Sequence, residues 1–483
     1  MNNILIDNFI WRLLERFGAQ GVTFIVSIIL ARLLDPEIYG TIALVTVIIT
    51  ILNVFIDSGF GNALIQKKEV DDIDYSSVFF FNVFICIILY VVLFALSPQI
   101  AKFYGNSELV SIIRVLSLTL VISGVKNIQN AYISRNLLFK KYFYATLGGT
   151  IVAAIVGIFM AYKGYGVWAL VFQSIINNLI DTMILWITVN WKPKLLFSFN
   201  RLKVLFNYGW KLLLSSLLDT TYIQLRQLII GKKYSTNDLA YYNKGHHFPE
   251  ITTISIITSM DSVLFPTMSK QQDDVLTVKN ITRKSIKITS YVLWPMMIGL
   301  AACSDNLIRL LLTDKWMPAV PYLRIFCITY AFYPIHTSNL NAIKALGRSD
   351  IFLKLEIMKK TVGLLIIFVS MRYGVYIMAL STIISSVIGQ IINSYPNKKL
   401  MNYRYIDQLK DLAPASFMSL FMGIIVYSIN YIGLNSLLTI IIQVVLGIII
   451  YIGLSIITKN DSYIYCLNTL KLFINRKNNS IND

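Results

Sequence analysis

The chain has 483 residues, 56% of them hydrophobic and 14% charged, with a formal net charge of +18. Soluble globular chains carry about 25% charged residues and at most about half apolar ones, so a water-soluble core is excluded and the excess apolar surface must face lipid. The basic balance follows the positive-inside rule rather than nucleic-acid binding, because the sequence offers no basic helix, zinc spacing or aromatic RNA-binding motif.

A spanning helix needs about 20 mostly apolar residues, and about 14 stretches qualify in chain order. The first, roughly 9–34, follows a short polar start without a small-residue cleavage site, so it is expected to be a retained span. It carries Arg12, Glu15, Arg16, Gln20, Thr23 and Ser27 at helical spacing, one polar stripe on an apolar helix. The second, roughly 38–58, holds Thr46, Thr50, Asn53 and Asp57. Three plainer spans follow at about 76–97, 108–130 and 142–163, then a sixth at about 165–189 with Gln173, Asn177 and Asp181.

The seventh, roughly 205–230, repeats the stripe with Lys211, Ser215, Asp219, Tyr222 and Arg226. The eighth, roughly 237–264, contains Lys244, His246, His247, Pro249 and Glu250, so its first half must face protein or water. The remaining spans are placed at about 286–304, 318–342, 352–371, 374–394, 412–430 and 436–457. His336, Asn339 and Asn341 in the tenth read as hydrogen-bonded interior groups.

With the N-terminus inside, Lys and Arg in the cytoplasmic segments outnumber those in the opposite loops by about three to one. That bias implies an even number of spans with both termini cytoplasmic. Trp11-Arg12-Leu13-Leu14 and Trp210-Lys211-Leu212-Leu213 open the first and seventh spans, a faint repeat of six spans in parallel orientation. The expected fold is therefore all-α and polytopic, with halves at 1–203 and 204–400 and two extra helices and a basic tail in 401–483.

Charges inside spans each cost several kcal/mol unless they meet water or a partner. Arg12, Arg16, Lys211, Arg226 and Lys244 are candidates for a hydrated cavity that receives an anionic head group, since Arg forks and Lys point charges both suit phosphate. The bland alternative for Arg12 and Arg16 is snorkelling to the interface or pairing with Glu15 or Asp7. Asp57 and Asp219 are candidates for proton or cation coupling, or else for pairing with a neighbouring cation. Cys86, Cys303, Cys327 and Cys466 lack any CxxC or zinc spacing and read as small hydrophobes. There is no G-x-S-x-G, HExxH, phosphate-binding Gly loop or metal-ligand cluster, so neither an enzyme nor a metal or cofactor is expected. Asp71-Asp72 and Asp273-Asp274 read as solvated loop acids.

Several runs carry a family resemblance. They are Leu30-Ala31-Arg32-Leu33-Leu34-Asp35-Pro36-Glu37-Ile38-Tyr39-Gly40, Asp57-Ser58-Gly59-Phe60-Gly61-Asn62-Ala63-Leu64-Ile65-Gln66 and Gly164-Tyr165-Gly166-Val167-Trp168-Ala169-Leu170. Arg135-Asn136-Leu137-Leu138-Phe139-Lys140, Phe265-Pro266-Thr267-Met268-Ser269 and Lys315-Trp316-Met317-Pro318-Ala319-Val320 add to them. The chain resembles the Wzx-like polysaccharide transporters of the multidrug/oligosaccharidyl-lipid/polysaccharide (MOP) flippase superfamily. The resemblance implies two pseudo-symmetric six-helix bundles around a central cavity, working by alternating access in a bacterial cytoplasmic (inner) membrane. It also implies an undecaprenyl-pyrophosphate-linked oligosaccharide (an O-antigen, capsule or exopolysaccharide unit) as cargo, with membrane lipid as solvent for its tail. A polysaccharide polymerase and chain-length proteins are the candidate protein partners. The alternatives are a multidrug or cation exporter of the same superfamily, and a membrane polysaccharide polymerase or glycosyltransferase.

Overall fold

The computed structural model describes residues 2–57, 60–67, 69–468 and 471, and every regular element among them is a helix. In lipid the backbone must satisfy its own hydrogen bonds, which leaves a chain of this composition only helices or a closed barrel. Two compact units divide between Ala240 and Tyr241. The first holds α1 (Asn2–Leu33), α2 (Pro36–Asp57), α3 (Phe60–Gln66), α4 (Asp72–Tyr104), α5 (Leu109–Leu116), α6 (Leu118–Asn136), α7 (Phe139–Tyr162), α8 (Val167–Thr188) and α9 (Phe199–Lys233). Helix α10 (Thr236–Lys270) starts in the first unit and runs on into the second. The second unit continues with α11 (Val275–Leu312), α12 (Val320–Ala331), α13 (Tyr333–Ala345), α14 (Ser349–Ser370), α15 (Val375–Met401), α16 (Tyr405–Ser428) and α17 (Ser436–Ile457).

Ten described helical segments are long and apolar enough to cross a membrane. They coincide with ten of the stretches expected from sequence. The other four expected stretches are helical but differ in kind. Helix α1 has a described apolar stretch of only Gly18–Leu33. Charges punctuate α9 and α14, and the tenth stretch is divided at Phe332 into α12 and α13. The chain is a multi-pass, all-α membrane protein.

Close packing in the first unit depends on small residues. Ala145, Gly149, Ala153, Gly157 and Ala161 recur every fourth position of α7, and all are buried. A Cβ on Gly149 would lie 2.9 Å from the Asn177 carbonyl oxygen of α8, and one on Gly157 would lie 3.1 Å from Gln173 Cβ. Lipid tails are as apolar as the helices, so association rests on such close approach and on polar contacts.

Asp71 and Asp72, read as solvated acids, do stay exposed at 47% and 43%, and the start of α4 gives them a structural role as well. Asp71 caps the helix, accepting from the Asp74 N–H at 2.9 Å, and Asp74 accepts from the Asp71 N–H at 3.3 Å. Lys67 pairs with Asp74 at 2.5 Å, Lys194 with Asp72 at 2.5 Å and Arg201 with Asp71 at 3.3 Å. The capping N–H of Asp74, with the Arg201 charge, holds the Asp71 carboxyl below the usual range. Asp274 likewise caps α11, accepting from the Leu276 and Thr277 N–H groups at 3.0 and 3.1 Å. Both pairs of acids sit where a helix begins, and unpaired N–H groups there attract carboxylates.

In the second unit α11 is the axis, packing against α12, α13, α16 and α17. Thr439, Gln443, Gly447, Tyr451 and Ser455 form the buried stripe of α17. Gln443 Nε2 donates to Asn430 Oδ1 at 2.9 Å, and Tyr451 OH donates to the Tyr291 carbonyl at 2.8 Å. Side chains of α13, α15 and α16 close a fully buried amide network. In it Asn339 Nδ2 donates to Gln408 Oε1 at 2.7 Å and Gln408 Nε2 returns to Asn339 Oδ1 at 3.0 Å. Such a network is stable only when its members satisfy one another. The interior roles read for His336 and Asn341 are also observed. His336 Nδ1 accepts from Asn393 at 2.9 Å, and Asn341 donates to Asp261 at 2.6 Å. Cys86, Cys303 and Cys327 are buried free thiols, as expected of small hydrophobes.

Candidate functional site

The groups with chemistry are charges inside otherwise apolar helices, and each unit has its own set. In the first unit α9 packs on α2, α3 and α4 although it opens the second half of the sequence repeat. Asp219, Tyr222 and Arg226 are spaced three and four residues apart, which puts them on one helix face. Lys211 and Asp219 are exposed on this helix, and Arg226 is half-buried. Deeper in the unit, Lys126 of α6 meets Asp181 of α8 at 2.8 Å and Asn178 Oδ1 at 3.3 Å. That pair is nearly dry, with side-chain exposures of 15% and 11%.

In the second unit Gly245 brings α10 against α12. A Cβ there would lie 2.8 Å from the Leu323 nitrogen and 2.9 Å from the Ala319 carbonyl oxygen. This approach seats the His246 ring edge-on to Phe326, with centroids 4.6 Å apart. His246 Nδ1 lies 3.3 Å from Glu250 Oε2, and its Nε2 lies 3.0 Å from Tyr330 OH. A carboxylate, an imidazole and a phenol in line can hold a proton and exchange it among themselves. Two residues before His246, the Lys244 ammonium stands 5.6 Å from the Trp316 ring centroid. Further along, Lys359 and Glu356 of α14 pair at 2.5 Å. All three histidines of the chain therefore lie in this unit.

Residues 29–321 match the family model described as polysaccharide biosynthesis protein. That is more than half of the chain. It belongs to the polysaccharide biosynthesis protein family. Among curated relatives, the succinoglycan biosynthesis transport protein ExoT of Rhizobium meliloti (strain 1021) is 23% identical over 341 residues, covering 71% of this chain and 69% of that one. The lipopolysaccharide biosynthesis protein WzxC of Escherichia coli (strain K12) is 22% identical over 356 residues, covering 72% and 71%. Among solved structures, the lipid II flippase MurJ in an inward closed conformation superposes with a TM-score of 0.78 at 17% identity, covering 94% of this chain and 99% of that one. At that identity the likeness shows the fold. The resemblance read from the sequence is borne out: the family model matches, and the relative ExoT is named as a transport protein.

Of the groups singled out in this family member's sequence, the side chains of Arg12, Arg16 and Asp57 lie outside the described residues. Lys211, Asp219 and Arg226 share one helix of the first unit, and Lys244 lies on α10 in the second. Sequence reasoning missed Lys126, Lys359 and Glu356, and it gave His246 and Glu250 no chemical role. The available signal was the same one used elsewhere, an ionisable residue inside an apolar run. Lys126 carries that signal, since it lies inside the expected 108–130 span, whereas its partner lies 55 residues away and the sequence does not name it.

Proposed function

We propose that the chain is a flippase that moves a lipid-linked oligosaccharide across the cytoplasmic membrane by alternating access, with an undecaprenyl-pyrophosphate-linked unit as cargo. The observation that carries the reading is the match of residues 29–321 to the polysaccharide biosynthesis family. The full-length likeness to a lipid II flippase fold supports it. A pyrophosphate and several sugars cannot cross hydrocarbon unaided, because each polar group loses water without replacement. Cations fixed on membrane helices replace that hydration. Arg12, Arg16, Lys211, Arg226 and Lys244 are the proposed phosphate contacts, and Asp57 and Asp219 the proposed coupling groups. The basic loops favour both termini in the cytoplasm. A polymerase and chain-length proteins would act on the delivered unit.

Removing the protein should make a lipid-linked intermediate accumulate on the cytoplasmic face and abolish surface polysaccharide. Complementation with Arg226→Ala or Lys244→Ala should restore about a tenth or less of the wild-type display at equal membrane level, the scale expected for losing one charge-assisted contact to a buried anion. Full display by both variants would end the cationic-contact reading. A multidrug exporter remains the competing function. It requires that the deletion strain become sensitive to cationic dyes while its polysaccharide stays intact.

A further inference from the structure

A cavity of about 300 Å³ opens at the start of α11, where Arg283, Lys284 and Lys287 form one wall and Ser462 and Tyr465 of the C-terminal segment form the other. We propose that this cavity binds the phosphodiester head group of an anionic membrane lipid, a site separate from the transport reading above.

The charge count favours an anion. Asp411, the buried carboxylate behind the wall, accepts from Arg283 Nε at 2.7 Å, Arg283 Nη2 at 2.8 Å and Tyr403 OH at 2.8 Å. Lys287 reaches it only at 3.7 Å. Asp411 thus offsets one of the three cations, and Arg283 takes its best geometry. Lys284 meets no acid among the described residues. Its ammonium lies 3.7 Å from the Tyr465 ring centroid, a contact that leaves its N–H donors available. Asp461 also lines the cavity and forms no ion pair among the described residues. The balance of the lining stays positive even when it is counted. The tail wall is fixed rather than loose, because Tyr463 and Cys466 pack on the core cluster of Tyr291, Met418 and Tyr451.

A free phosphate would need only the cations. What points to a lipid is the surface that continues from the cavity. Ile288 lines it, and Val292 and Met296 follow at four-residue spacing on the same face of α11, 37% and 45% exposed. They lie within a helix long and apolar enough to span the membrane. A basic pocket at the end of an exposed apolar track matches a head group followed by an acyl chain, and basic pockets between membrane helices on the side of the basic loops bind anionic head groups.

The test is native mass spectrometry of the purified full-length protein in detergent with phosphatidylglycerol, phosphatidylcholine or inorganic phosphate added. The wild type should retain phosphatidylglycerol about tenfold more tightly than phosphatidylcholine, and the Lys284→Gln/Lys287→Gln variant should lose about tenfold of that affinity. Millimolar inorganic phosphate should not displace the lipid. Unchanged phosphatidylglycerol affinity in the double variant, or equal retention of both lipids, would overturn the proposal. Displacement by inorganic phosphate would reassign the cavity to a soluble anion and likewise overturn it. The single variant Lys284→Gln gives the same readout if the double variant is poorly folded. Surface polysaccharide measured in parallel reports on the flippase reading separately.

Discussion

Asp181→Ala should destabilise the folded protein by about 3–5 kcal/mol, the usual consequence of leaving a buried charge without its partner. The Lys126 ammonium sits 2.8 Å from Asp181 Oδ2 and, among the described residues, has only Asn178 Oδ1, at 3.3 Å, as a second acceptor. Both side chains are withdrawn from solvent, at 15% and 11% exposure, between helices long and apolar enough to span a membrane. Removing the carboxylate strands the ammonium beside a single amide. The double variant Lys126→Met/Asp181→Leu removes both charges and should melt within about 1 kcal/mol of the wild type, since paired burial contributes little beyond its own desolvation cost. Thermal melting of the purified protein in detergent reads the difference. If Asp181→Ala melts with the wild type, the pair is hydrated and the account fails. A double variant that melts normally but no longer supports polysaccharide display would move the pair from scaffold to transport.

The second large effect is steric. Gly40→Ala should prevent normal folding of the first unit, with little protein recovered in the membrane. A Cβ at Gly40 would lie 1.8 Å from the carbonyl oxygen of Thr236, 2.5 Å from its carbonyl carbon and 2.9 Å from its Cα. All three are backbone atoms, so no side-chain rotation relieves the overlap. Overpacking a core typically costs about 1–3 kcal/mol, and a clash that must displace the start of α10 belongs at or beyond the top of that range. Gly453→Ala on α17 is the matched control. Nothing lies within 4 Å of its added Cβ, and replacing a mid-helix glycine gains up to about 1 kcal/mol. Equal yield and melting for Gly40→Ala and the wild type would show that α2 and the start of α10 do not meet as described.

Gly40 also shows how far the sequence could be read. It closes the Leu30–Gly40 run that carried the family resemblance, yet nothing in that run says which backbone the glycine must admit. The ten spans were legible because an apolar run of that length has few other solutions. The α12–α13 division at Phe332 is hidden in the hydropathy, which continues across it; its signal is Pro334 in the first turn of α13. Asp71 and Asp274 were visible as acids in short loops, but their capping roles depend on where the next helix starts, and boundaries are the least certain part of such a reading.

By itself, the sequence determined that this chain lives in lipid as a many-helix protein resembling the polysaccharide biosynthesis type, and it marked some of the charges that would be costly there. The tertiary structure alone decided how such charges are relieved, including two that the sequence had not marked: Lys126 by Asp181, 55 residues away, and Arg283 by Asp411, 128 residues away. The physical reason is a difference in range. The cost of placing a charge in an apolar helix is set by its immediate neighbours in sequence, whereas the partner that offsets it is chosen by which helices pack together.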